Sequence, residues 1–118
     1  MEATCKERIE EHLKSRLEDL TKLMTLKPGK YHPELGILNE YGLCFDYVEP
    51  ETFNDQPEGY YRYQISWGGP SDEFRFWVDD NNKLYKIEYA FLDWFDGAVQ
   101  ELDGKDFDLL AEVFQAVK

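Results

Sequence analysis

Apolar side chains recur at helical spacing early in the chain: Ile9, Leu13, Leu17, Leu20 and Met24 form one stripe, with polar residues on the other faces. Thr4 followed by Glu7 is a capping box, in which side chains satisfy backbone donors of a first turn, and it predicts a helix over residues 5–26. Lys6 with Glu10, Glu10 with Lys14 and Glu18 with Lys22 are opposite charges at four-residue spacing on its polar faces. Pro28-Gly29 stops it. The stripe lasts barely two heptads, which suits packing on a sheet and leaves a homodimer through this helix as the alternative to a monomer.

From Tyr41 the period changes to alternation, and five candidate strands follow between residues 42 and 102. The first places Leu43, Phe45 and Tyr47 inward; the second puts Tyr61, Tyr63, Ile65 and Trp67 on one face, and the third Phe74, Phe76 and Val78. Closing Gly68-Gly69-Pro70-Ser71 as a four-residue loop sets Ile65 opposite Phe74, Tyr63 opposite Phe76 and Tyr61 opposite Val78. A tight turn at Asp80-Asn81 then sets Phe76 opposite Tyr85 and Phe74 opposite Ile87, and Asp96-Gly97 marks a further turn. These registers turn Trp77, Leu84, Leu92 and Trp94 to the other face. At the end, Asp103 caps a helix over 104–117 with Phe107, Leu110, Ala111, Phe114 and Val117 on its apolar side. The expected fold is α+β: a four- to five-stranded antiparallel meander sheet flanked by a long N-terminal helix and a short C-terminal helix.

A length of 118 residues, 42% of them hydrophobic and 16% aromatic, suits one domain over residues 1–118 with a single core. There is no run of about eighteen apolar residues and no basic-then-apolar leader, so a cytoplasmic protein without a membrane partner is expected. Cys5 and Cys44 lie in unlike surroundings without metal-ligand spacing and are read as two unpaired thiols.

Charge adds the most to this picture. Residues 31–118 hold nineteen Asp and Glu against six Lys and Arg, while residues 1–30 hold six against seven, which gives −13 on one part and +1 on the other. Such a field repels nucleic acid and anionic membrane and attracts basic surfaces. The surplus gathers in two blocks: Glu49, Glu51, Asp55 and Glu58 in a long loop, and Asp93, Asp96, Glu101, Asp103, Asp106, Asp108 and Glu112 towards the C-terminus. If charge acts as one surface, the two blocks must lie together.

Candidate chemistry is sparse. The segment Trp67 to Ser71 is glycine-rich, but it joins two strands and is followed by Asp72-Glu73, which would repel a phosphate. Asp79-Asp80-Asn81-Asn82 lacks the spacing of a calcium loop. His12 and His32 have no partner at ligand spacing, and Cys44, Ser66 and Ser71 have no activating base nearby. No catalytic residue, metal ligand or cofactor site is assigned, and the expectation is a non-enzymatic protein.

The stretch from Tyr61 to Phe76, with Ile87-Glu88-Tyr89 and the segment Asp93 to Ala98 behind it, resembles a group of small acidic uncharacterised proteins of phages, plasmids and other mobile elements. Trp67-Gly68-Gly69-Pro70-Ser71-Asp72-Glu73 is the most specific part. The resemblance implies no catalytic residue; it favours an anti-defence or regulatory role.

Charge and resemblance together lead to one expected function, a protein that occupies a basic, nucleic-acid-binding protein surface as a DNA mimic, of anti-CRISPR or anti-restriction type. Its partner would be a nuclease or CRISPR effector. The contact residues would be Glu49, Glu51, Asp55, Glu58, Asp93, Asp96, Glu101 and Asp103, with Trp77 and Trp94 as aromatic anchors. Two alternatives stay open: an immunity or antitoxin-like protein that neutralises a basic toxin, and a small enzyme or ligand-binding domain using Asp93 and Asp96.

Overall fold

A computed structural model describes residues 4–27, 30–67, 70–93 and 96–117. The stop expected at Pro28-Gly29 and the glycines of the first hairpin turn lie outside the described residues. The elements are α1 (Cys5–Met24), α2 (Leu38–Tyr41), β1 (Cys44–Val48), β2 (Tyr60–Ser66), β3 (Ser71–Val78), β4 (Leu84–Asp93), β5 (Asp96–Glu101) and α3 (Gly104–Val117). The five strands pair in chain order as one open antiparallel sheet, so the fold is α+β.

Thr4 Oγ1 accepts from the Glu7 backbone N–H at 3.2 Å and starts α1 where the capping motif placed it. Ile9, Leu13 and Leu20 of its stripe are buried, Leu17 and Met24 are partly buried against the same core, and Leu23, outside the stripe, is buried too. The charge pairs expected along its surface are not closed among the described residues; two of its cations, Arg8 and Arg16, reach carboxylates of the sheet instead. Leu110, Val113 and Phe114 of α3 join the same core as Ile9, Leu13 and Leu20. Beneath both helices lie Tyr63, Ile65, Phe74, Phe76, Ile87, Tyr89 and Phe91, one face of β2, β3 and β4. Phe114 stacks on Phe76 at 4.9 Å and meets the edges of Tyr61 and Phe45. Both helices therefore cover one side, and neither covers Trp77.

Along most of β2, β3 and β4 the strand faces are those of the alternation, but Leu43, Tyr47 and Trp67, expected inward, are exposed, and the registers differ by two residues. Tyr63 faces Phe74 and Tyr61 faces Phe76, and on the other side Phe76 faces Ile87 and Phe74 faces Tyr89. A slip by an even number keeps every side chain on its face, so the apolar pattern cannot detect it. A bulge supplies one residue of each slip, between Gln64 and Ser66 and at Trp77 and Val78; the other comes from where pairing starts, Ser66 with Asp72 and Val78 with Leu84. The second bulge turns Leu84 towards the core and leaves Tyr85 exposed, the reverse of the expected arrangement.

The β3–β4 turn also spans more than Asp80-Asn81. Asp79 Oδ1 accepts from the backbone N–H groups of Asn81 and Lys83, each at 2.9 Å, and the left-handed residue is Asn82, with φ of 63°. Asp96 and Gly97 are strand residues, not a turn. Gly97 leaves room for its neighbour: a Cβ there would come within 2.8 Å of Leu92 Cδ2 on β4, so that the leucine side chain would have to shift.

Candidate functional site

At one end of the sheet, residues 49–59 connect β1 to β2 in a loop with its own framework. Glu49 C=O accepts from the Thr52 hydroxyl at 2.7 Å, and Glu51 N–H donates to Gln56 C=O at 2.7 Å. The Gln56 side chain ties the rest: Oε1 accepts from Phe53 N–H at 3.0 Å, and Nε2 donates to the carbonyls of Glu49 and Glu58 at 2.9 Å each. Glu51 and Asp55 adopt left-handed backbone, φ 63° and 56°, a conformation that costs a non-glycine residue about 1 kcal/mol or more. At Gly59 a Cβ would sit 2.1 Å from the Tyr47 hydroxyl, so only glycine lets the loop return beside β1.

This framework holds Glu49, Glu51, Asp55 and Glu58 at the same end as Asp79 and Asp80 of the β3–β4 turn. Glu58 and Tyr85 join the two loops: the Tyr85 hydroxyl donates to Glu58 Oε2 at 2.8 Å, a bond that raises the phenol pKa. Among the described residues, Glu49, Glu51, Asp55 and Glu58 have no cationic side chain within ion-pair distance. Three aromatic side chains stand among them, Tyr47, Phe53 and Tyr85, exposed by 50%, 53% and 49%. Between the loops, Tyr47, Pro57, Glu58, Asp79, Asp80 and Tyr85 border an open cavity of about 470 Å³.

The second acidic block is not brought to this surface as a unit, so the condition that both blocks form one surface is not met. Asp93 and Asp96 face each other across the β4–β5 pair at the opposite end of the sheet. β4 runs ten residues from Leu84 to Asp93; at about 3.3 Å per residue that is about 30 Å. Arg8 Nη1 holds Asp93 Oδ2 at 2.6 Å, with its guanidinium 4.9 Å over the Phe91 ring, on which His12 also stacks at 4.3 Å. Asp93 Oδ1 is buried without a hydrogen-bond partner among the described residues. Glu101 pairs with Glu88 halfway along β4, and Asp103 is exposed just before α3. Trp94 lies outside the described residues, as does the Cys5 side chain; Cys44 is a free thiol.

A buried polar network occupies that same far end. Asp72, read in the sequence only as a charge that would repel a phosphate, accepts from Arg16 Nε at 2.6 Å and Nη2 at 3.1 Å, from the Tyr89 hydroxyl at 2.6 Å and from the Ser66 hydroxyl. Arg16 also donates to the Tyr41 hydroxyl at 3.1 Å, which donates to Asp19 at 2.7 Å. Burial and the Asp72 carboxylate both raise the Tyr89 pKa, and burial with the Asp19 bond pushes Tyr41 up to about 12. These groups satisfy one another and fix α1 and α2 on the sheet.

The outer face of the sheet carries a charged row in which Asp46, Arg62, Arg75 and Glu88 are neighbours. The two adjacent guanidinium groups are balanced: Arg62 makes two bonds to Asp46, at 3.0 and 2.7 Å, and Arg75 binds Glu73 at 2.8 Å. Trp77 is on this face, 5.2 Å from Tyr60 and under the Lys86 ammonium at 4.8 Å.

The exposed aromatics of the loop end were missed in the sequence because simple alternation turns Tyr47 and Tyr85 inward. Phe53 inside an acidic loop was the available signal. Among the described residues no group of three His, Cys, Asp or Glu could hold a metal ion, and no helix is long and apolar enough to cross a membrane. No protein-family model, curated protein or solved structure matches the chain.

Proposed function

We propose that this is a non-enzymatic binding protein whose loop end occupies a basic, nucleic-acid-binding surface of another protein. One observation carries the reading: Tyr47, Phe53 and Tyr85 stand exposed among six carboxylates, Glu49, Glu51, Asp55, Glu58, Asp79 and Asp80, at a single end of the sheet. Aromatic rings supply contact area at low entropic cost, and carboxylates take the places that Lys and Arg offer to phosphates. Lys83 is the basic residue of the β3–β4 turn, so the potential at this end is strongly negative. The internal hydrogen bonds of the loop support the same reading, because a loop ordered before contact loses less entropy on binding.

The contact centres on the 49–58 loop and the 79–80 turn, not on Asp93, which is held by Arg8, or Asp96, which pairs with Asp93 at the far end. Anti-CRISPR and anti-restriction proteins are the type this reading describes. A competition assay tests it: the protein should displace labelled duplex DNA from a nuclease or DNA-binding effector, with an affinity that falls as salt rises. A variant carrying Glu49→Gln, Glu51→Gln, Asp55→Asn and Glu58→Gln should lose displacement, and unchanged displacement by that variant removes the mechanism.

A further inference from the structure

Beneath residues 53–58 the outer face of the sheet forms a second cleft, of about 390 Å³. We propose that this cleft binds a small zwitterion of the free amino acid class, its carboxylate towards Arg75 and Lys86 and its ammonium towards Asp55 and Glu58. The volume lies near the lower end of small-ligand clefts and suits a molecule of that size.

Three features carry the assignment. First, Tyr60, 4% exposed, lines the cleft together with Arg75, Trp77 and Lys86. Burial raises its pKa, so the phenol remains a neutral donor for an incoming carboxylate. Second, the two walls carry opposite charge. On the sheet, Arg75 binds Glu73 through Nε, its guanidinium lying 5.3 Å from the Tyr60 ring centre, and Lys86 is held only at 3.5 Å from Glu88. On the loop, Asp55 and Glu58 have no ion-pair partner among the described residues. Third, Asp55 keeps a left-handed backbone at the cleft wall, and strain of this kind persists where the surrounding structure enforces a particular presentation.

The mixture of charges excludes the simpler ligands. An anion alone would meet Asp55, Glu58 and Glu88, and a cation alone would meet Arg75 and Lys86. A molecule carrying both charges a few bonds apart satisfies both walls, and the Trp77 ring offers its side chain an apolar contact. The site does not depend on the proposed basic partner, since a free amino acid would bind whether or not a partner exists.

A thermal-shift screen of the full chain against the twenty free L-amino acids at millimolar concentration tests the assignment, because a ligand that binds only the folded state raises the Tm. At least one should do so. For the amino acid giving the largest shift, calorimetry should show at least tenfold weaker binding of its decarboxylated amine and of its deaminated acid. Lys86→Met and Glu58→Gln, checked for folding by circular dichroism, should each weaken binding at least fivefold. A screen with no shift overturns the proposal, as does equal binding of a singly charged analogue or undiminished binding by both variants.

Discussion

At one end of the sheet Asp72 and Asp93 lie beside α1, each held at 2.6 Å by an arginine of that helix; at the other, Glu49, Glu51, Asp55 and Glu58 have no cationic partner among the described residues. The same side-chain chemistry thus does two jobs. Beside the helix, a carboxylate removed from water is stable only because hydrogen bonds and a guanidinium replace the water, so it acts as part of the fold. On the loop, carboxylates remain hydrated and their mutual repulsion is tolerated, which leaves their field available to a partner. Net charge read from a sequence adds the two kinds together, and only the second belongs to a binding surface.

The comparison can be broken most sharply at Asp72. Asp72→Ala leaves Arg16 half-buried without its carboxylate and deprives Tyr89 and Ser66 of their acceptor, so it should destabilise the fold by about 3–5 kcal/mol in urea unfolding. A loss below about 1 kcal/mol would mean that this end is no more structural than the loop.

Alkaline titration gives a smaller effect. Burial pushes Tyr41, with help from Asp19, and Tyr63 up to about 12 from the ordinary value of 10.0, and raises Tyr89 further. The folded state therefore binds these protons more tightly than the unfolded chain. Their contribution is fully present below pH 10 and is lost as pH rises from there through about 12. Urea midpoints measured across that range should fall steadily, with the share of phenolate absorbance that belongs to Tyr41, Tyr63 and Tyr89 rising late and together with unfolding.

The smallest effect belongs to the loop. Converting Glu49, Glu51, Asp55 and Glu58 to amides should change stability by no more than about 0.5 kcal/mol per site, with any net gain coming from relieved repulsion and shrinking as salt is added. A large loss would show that these carboxylates, too, are structural.

How much of this was legible in the sequence follows from range. Helix boundaries and strand faces were readable because capping and alternation act over a few residues, as at Thr4 with Glu7 and along Phe74, Phe76 and Val78. The registers were not, because the bulges at Gln64 and Trp77, together with where each hairpin starts to pair, shift them by two, and an even shift leaves the facing of most strand residues unchanged. The four loop carboxylates were visible as a charge block without cations. Asp72 was not recognisable as a structural group because its partner Arg16 is 56 positions away on a helix face that alternation says nothing about, and Tyr41 sat where a strand was expected to begin. Asp93 was counted with the acidic surface for the same reason: its arginine is 85 positions distant.

The central claim, that the loop end and not the hairpin end meets the partner, is tested most directly by comparing two charge-neutralised variants in one displacement assay against a DNA-binding effector. The quadruple loop variant should fail to displace duplex DNA, while Asp93→Asn combined with Asp96→Asn should displace it as the unaltered protein does. Retained displacement by the loop variant, with loss in the hairpin variant, would contradict the account.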